Sequence, residues 1–166
     1  MITATVAFFI RGKAKNREVL LGTKTKKVCR NKRIGPGGKR EKGETYKDCA
    51  AREIKEEVSV RVEKKDLKKV ACVDFLDKQP DGSFGNGQRV IFFLVFRWAG
   101  VFNSNGDLRD LKWFRLNRVP FERMMLGHPL WFKIALSGNY YIRGRINYGK
   151  GRKRVESFEL KARKLA

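Results

Sequence analysis

The chain has 166 residues with 39 Lys+Arg against 17 Asp+Glu, a formal net charge of +22, and it is 42% hydrophobic and 11% aromatic. That length and apolar content argue for one folded domain over residues 1–166, and no apolar run approaches the roughly 20 residues that span a bilayer. Three widely spaced cysteines (Cys29, Cys49, Cys72) without a CxxC pair argue against a disulfide framework or a zinc site and for reduced thiols in a cytoplasmic setting. A single histidine, His128, argues against histidine-based metal or base chemistry. The basic excess implies attraction to polyanions such as nucleotides, RNA or DNA, unless it serves only solubility.

In chain order, Ile2 to Ile10 and Glu18 to Thr23 read as two strands of a hairpin around a charged turn. Lys24 to Arg33 holds six Lys/Arg in ten residues and reads as a cationic lip, or more plainly as a solvated loop. The turn Gly35-Pro36-Gly37-Gly38 allows close backbone approach to a ligand. Tyr46 to Val58 suits a helix, with Thr45 and Asp48 as cap and capping partner. Val60 to Val62 and Leu67 to Leu76 are strand-like, Gln79 to Gly87 is a turn-rich loop, and Arg89 to Trp98 is the most apolar strand, expected at the centre. After a loop over Gly100 to Gly106 comes a strand over Asp110 to Leu116. A helix over Leu130 to Leu136 follows, with Pro129 in its first turn. A closing hairpin joins Asn139 to Asn147 with Arg154 to Leu160, and the Gly149–Gly151 turn and Lys161 to Lys164 are expected to be exposed. This order fits an α/β sandwich around a mixed sheet.

Six of the 17 acids (Glu41, Glu44, Asp48, Glu53, Glu56, Glu57) fall between positions 41 and 57 of an otherwise basic chain. At about 100° per residue, Glu53, Glu56 and Glu57 share one face about one turn tall. One reading is a solvated acidic face. The other is a carboxylate cluster for a hard divalent cation, which keeps part of its shell for water and substrate phosphate. Arg52 lies four residues before Glu56 and is expected to pair with only one of the three.

The stretch Gly38-x5-Glu44-x7-Arg52-Glu53-Ile54-x-Glu56-Glu57-x-Ser59-Val60 resembles the Nudix box. Ser59 stands where that pattern has glycine, at a position expected to end the helix in a left-handed conformation. The resemblance extends to Leu20-Leu21-Gly22, Gly37-Gly38-Lys39, Trp113-Phe114, Val119-Pro120-Phe121 and Trp131-Phe132, which look like the 8-oxo-dGTP diphosphatase group. It implies a Nudix-type α/β/α sandwich around a mixed sheet. It also implies a metal-dependent nucleoside triphosphate pyrophosphohydrolase releasing a nucleoside monophosphate and pyrophosphate, with a role in sanitising oxidised nucleotides and so in DNA repair.

By the same resemblance, Glu53, Glu56 and Glu57, with the Gly38 carbonyl, would hold Mg²⁺, or Mn²⁺ in its place. Arg52 would orient Glu56 or Glu57, with Glu44 in support. Thr5, Lys24, Gly37, Gly38 and Lys39 would bind substrate, Asp107 or Asp110 would supply a further acid, and the protein would be a monomer off the membrane. The base-reading residues of the group are replaced: Ile34 stands for an asparagine, and the segment around Met125, Gly127 and His128 stands for a tryptophan and an Asp-Asp pair. His128 is then a candidate base contact, or a capping or surface residue. Two alternatives remain open: an RNA 5′-pyrophosphohydrolase, suggested by the charge, and a non-catalytic basic RNA-binding module with a relic box.

Overall fold

A computed structural model describes all 166 residues. Nine strands form one mixed sheet: β1 (Ile2–Arg11), β2 (Glu18–Lys24), β3 (Arg33–Ile34), β4 (Gly37–Lys39), β5 (Leu67–Lys78), β6 (Phe84–Val95), β7 (Leu108–Arg115), β8 (Tyr140–Tyr148) and β9 (Val155–Lys164). Helix α1 (Tyr46–Val58) and the short α2 (Phe132–Leu136) flank it. The main path runs β3-β2-β1-β6-β5-β8-β9, with β4 paired to β1 and β7 paired to β2. The apolar stretch of β6 lies at the centre as its sequence predicts, parallel to β1 and antiparallel to β5.

β1 organises the site. Its residues Ala4 to Ile10 are all buried, as expected of a strand covered on both faces. The hairpin with β2 is only a base of two pairs, Ile10↔Val19 and Arg11↔Glu18. Beyond it β2 turns away toward β7, and β4 takes the vacated edge, pairing Thr5 with Gly38 and Val6 with Gly37. The glycine turn is therefore hydrogen-bonded into the sheet beside the start of α1. The core is continuous and rich in phenylalanine, with Phe8, Phe9, Phe92, Phe93 and Phe132 fully buried.

Four sequence expectations shift. Val60 to Val62 makes only the isolated bridge Arg61↔Ala99. The Gln79 to Gly87 loop shortens, because β6 begins at Phe84 and pairs it with Lys78. The Leu130 to Leu136 helix divides at Trp131, whose φ of −139° is not helical, into a 3₁₀ turn (His128–Leu130) holding Pro129 and the short α2. The closing hairpin is longer than read, reaching Lys164 along an exposed edge.

Candidate active site

Helix α1 begins with the predicted capping box. The Thr45 hydroxyl accepts from the Asp48 amide at 3.1 Å, and the Asp48 carboxylate accepts from the Thr45 amide at 3.0 Å. The two bonds satisfy donors that helix geometry leaves unpaired. The helix ends at Ser59, at φ 64° and ψ 13°, in the left-handed conformation anticipated for this position.

Cys49, Ala50, Ile54 and Val58 form the buried face of α1. Glu57 lies nearest that face, Glu53 next and Glu56 farthest, by the roughly 100° step of a helix. Side-chain exposure follows that order, at 8%, 14% and 58%. The three glutamates thus descend from solvent toward the core, with Glu56 the exposed one at the rim of the cavity that all three line.

The glycine turn meets the two inner carboxylates. The Gly37 amide donates to Glu57 Oε2 at 2.9 Å. Lys24 Nζ donates to the Gly37 carbonyl at 3.1 Å and pairs with Glu57 Oε1. A side chain at Gly38 would overlap the Glu53 carboxylate, and one at Gly37 would run into the Thr5 carbonyl. Backbone contact requires glycine at 37, whereas a side chain at 38 would displace the Glu53 carboxylate. The Thr5 hydroxyl lies 3.2 Å from the Cys49 thiol, tying β1 to the helix.

Arg52 corrects a sequence expectation, since it pairs with more than one glutamate. It donates to Glu44 from Nε at 2.6 Å and Nη2 at 3.1 Å, to Glu53 at 2.8 Å and to Glu56 at 3.3 Å. Nη2 also reaches the Lys39 carbonyl at 3.1 Å. A guanidinium carries five donors in a planar fork, so a count by helical spacing alone understates its reach. Arg52 and the Glu41 amide hold the Glu44 carboxyl down at about 2. Burial pushes the Glu53 carboxyl up, and Arg52 pulls it back in part.

All nine predicted site residues, Thr5, Lys24, Gly37, Gly38, Lys39, Arg52, Glu53, Glu56 and Glu57, line one cavity of about 750 Å³. Of the basic run, Lys26, Lys27, Val28 and Cys29 line the same cavity with Lys24, whereas Arg30 and Lys32 do not. Arg33, at the end of that basic run, is instead buried and bonds Asp110. This separates the two candidate acids: Asp107 lines the cavity, whereas Asp110 is held by Arg33 away from it.

The remaining wall is apolar and aromatic. Ile34, Val90 and Phe92 join Phe75, Met125 and Tyr148 there. His128 is in this wall as well, so its surface and capping readings fall. It is 3% exposed, packs against Phe75 and Trp131, and neither ring nitrogen has a hydrogen-bond partner. Burial pushes its pKa down to about 4, so the ring is neutral at pH 7. Sequence reading missed Phe75, Asp77, Tyr148 and Arg152. They come from β5, the end of β8 and the turn after it, and no local motif marks them.

The donor set suits a hard cation: three carboxylates and the Gly38 carbonyl, all oxygen. The side chains do not converge into a group of three around one point, because Arg52 gathers Glu53 and Glu56 while Lys24 takes Glu57. The two cations stand where positive charge is needed against this cluster, and the residues fit Mg²⁺ by their chemistry.

The NUDIX domain model matches residues 1–133, and the chain belongs to this family as a Nudix hydrolase. Among curated relatives, the oxidized purine nucleoside triphosphate hydrolase of Danio rerio is 28% identical over 127 residues, 75% of each chain. That of Mus musculus is 28% identical over 122 residues, 72% of each chain. Among solved structures, a MutT protein from Bacillus halodurans superposes with a TM-score of 0.77 at 20% identity, covering 97% of this chain and 98% of its own. A C. elegans Ap4A hydrolase gives 0.58 at 16% identity, covering 82% of this chain and 96% of its own. The structural likenesses establish a shared Nudix fold.

Proposed function

We propose that this protein hydrolyses nucleoside triphosphates, including oxidised purine nucleotides such as 8-oxo-dGTP, to a nucleoside monophosphate and pyrophosphate. The observation that carries the reading is the single cavity joining the glutamates of α1 and the glycine turn to an aromatic wall. That is the division a nucleotide needs: charge for the phosphates and π-faces for the base. The names of the two curated relatives support the purine assignment.

Glu53, Glu56, Glu57 and the Gly38 carbonyl would hold Mg²⁺, or Mn²⁺ in its place, and the metal supplies Lewis acidity to the phosphate and to the attacking water. Lys24, Lys39, Lys26 and Lys27 bind the phosphate chain by charge. Arg52 fixes Glu53 and Glu56 by direct bonds and is itself fixed by Glu44. Glu53, Glu56 and Asp107 all line the cavity and are the carboxylates that could take a proton from the attacking water.

The test is product analysis with Mg²⁺ on 8-oxo-dGTP, dGTP, dATP, GTP and a short 5′-triphosphate RNA. Monophosphate and pyrophosphate are expected. Release of orthophosphate, or no turnover with either metal, overturns the reading. The lip lysines and the net charge of +22 favour a second reading, an RNA 5′-pyrophosphohydrolase. It requires activity on the RNA to fall more steeply with salt than activity on dNTPs.

A further inference from the structure

We infer that the Asp77–Arg152 pair reads the Hoogsteen edge of the purine and selects the oxidised base; this rests on the proposed nucleotide reading. Both residues line the cavity. Asp77 lies on β5 within the segment that matches the family model, and Arg152 lies beyond it, in the turn of the closing hairpin.

The pair is built for a fixed geometry. Arg152 donates to Asp77 Oδ1 from Nε at 2.6 Å and to Oδ2 from Nη2 at 2.8 Å. Its guanidinium lies 5.0 Å over the Tyr148 ring, and the Tyr148 hydroxyl is anchored on the Leu126 carbonyl. Two successive left-handed residues, Gly151 at φ 67° and Arg152 at φ 54°, direct the turn that carries it. A non-glycine residue rarely takes that conformation, and it is held here by the contacts of its side chain. Between Phe75 and Asp77 the extra residue of the irregular pairing lies in β6, so β5 keeps its alternation and places Asp77 on the same face as Phe75.

Asp77 uses one lone pair on each oxygen, and Arg152 uses two of its five donors. A donor therefore stands beside an acceptor, next to the Phe75 and Tyr148 rings. Guanine presents O6 and N7 as two acceptors. Oxidation at C8 places hydrogen on N7 and turns it into a donor. The oxidised edge then matches the pair: Arg152 donates to O6 and Asp77 accepts from N7–H. Unmodified guanine sets its N7 lone pair against the Asp77 carboxylate. A site that hydrogen-bonds its ligand in this way discriminates strongly against the analogue that leaves a partner unmatched.

The experiment measures kcat and KM for 8-oxo-dGTP and dGTP with the full-length wild type, R152A, R152K and D77N. The wild type is expected to prefer 8-oxo-dGTP. R152A and D77N should raise KM for 8-oxo-dGTP about 10- to 100-fold with kcat within about threefold, so that the preference collapses. R152K should not restore it, because an ammonium cannot keep the bidentate pair. If R152A does not fold, D77N and R152K decide on the same ratio. An unchanged preference in the variants, or an equal loss on both substrates, overturns the inference. A wild type that cleaves both substrates equally also overturns it and leaves the proposed function standing. A wild type that cleaves neither removes the proposed function, and this inference with it.

Discussion

Arg52 donates to Glu44 twice, at 2.6 and 3.1 Å, while its Nη1 reaches Glu53 and Glu56 at 2.8 and 3.3 Å. Glu44 thus holds the residue that holds two of the carboxylates, and neither Glu44 nor Arg52 need touch substrate. Loss of such supporting partners costs about 10- to 100-fold in metal affinity or activity. R52A and E44Q should each lose activity in this range, with an increased Mg²⁺ requirement. A titration of turnover against Mg²⁺ for both variants checks this, and an unshifted midpoint would speak against it.

Lys24 is the cation paired with Glu57, whose side chain is 8% exposed. Removing one partner of such a pair strands a buried charge, at about 3–5 kcal/mol. K24M should be destabilised by that order in urea unfolding with EDTA present. Adding E57Q should recover at least about 1 kcal/mol, because the two residues are coupled. Strict additivity in the double variant would break the argument.

Ser59 ends α1 at φ 64°, where the family pattern has glycine. The left-handed conformation costs a non-glycine residue about 1–2 kcal/mol. S59G should raise stability by up to about 1 kcal/mol, or Tm by roughly 2–4 °C at this chain length. A thermal scan that shows no gain, or a loss, would mean the serine is not strained. Its Oγ contact to the Asn103 carbonyl, at 3.3 Å on the surface, is the one bond given up.

His128 is buried and neutral, with its pKa pushed down to about 4 from an ordinary 6.5. The unfolded chain therefore binds this proton more readily than the folded one. The contribution is complete above about pH 6.5 and is lost as pH falls toward 4, amounting to roughly 3 kcal/mol. Unfolding of the wild type between pH 7 and 4.5 should show this loss, and H128L should flatten it. Equal slopes in the two proteins would place the acid sensitivity elsewhere.

What the sequence disclosed depended on how local the signal was. The box was legible because capping, apolar spacing and the three glutamates all lie within one helix and its entry turn. Separation of Glu57 from Glu56 follows from the same helical step once the core face is known. Arg52 was under-read because one planar guanidinium reaches both Glu53 and Glu56, which helical spacing alone does not convey. Asp77 and Arg152 were invisible: they lie 75 residues apart and meet because β8 runs parallel to β5, pairing Tyr148 with Asp77. Arg33 counted as a lip cation until its position beside Phe114 and Asp110 placed it inside. The division of the last helix turns on Trp131, a residue with no breaking tendency of its own.

The proposed hydrolysis rests on the acidic face of α1 acting with a divalent metal. Glu56 gives the cleanest variant, because Glu57 is woven into the Lys24–Gly37 network and its change would disturb folding as well. Pyrophosphate release from 8-oxo-dGTP across a Mg²⁺ series should be compared for wild type and E56Q, with Tm measured alongside. Mg²⁺-dependent turnover is expected in the wild type, with a loss of about 100-fold or more in E56Q at unchanged Tm. A folded E56Q with wild-type turnover, or hydrolysis indifferent to Mg²⁺, would contradict it.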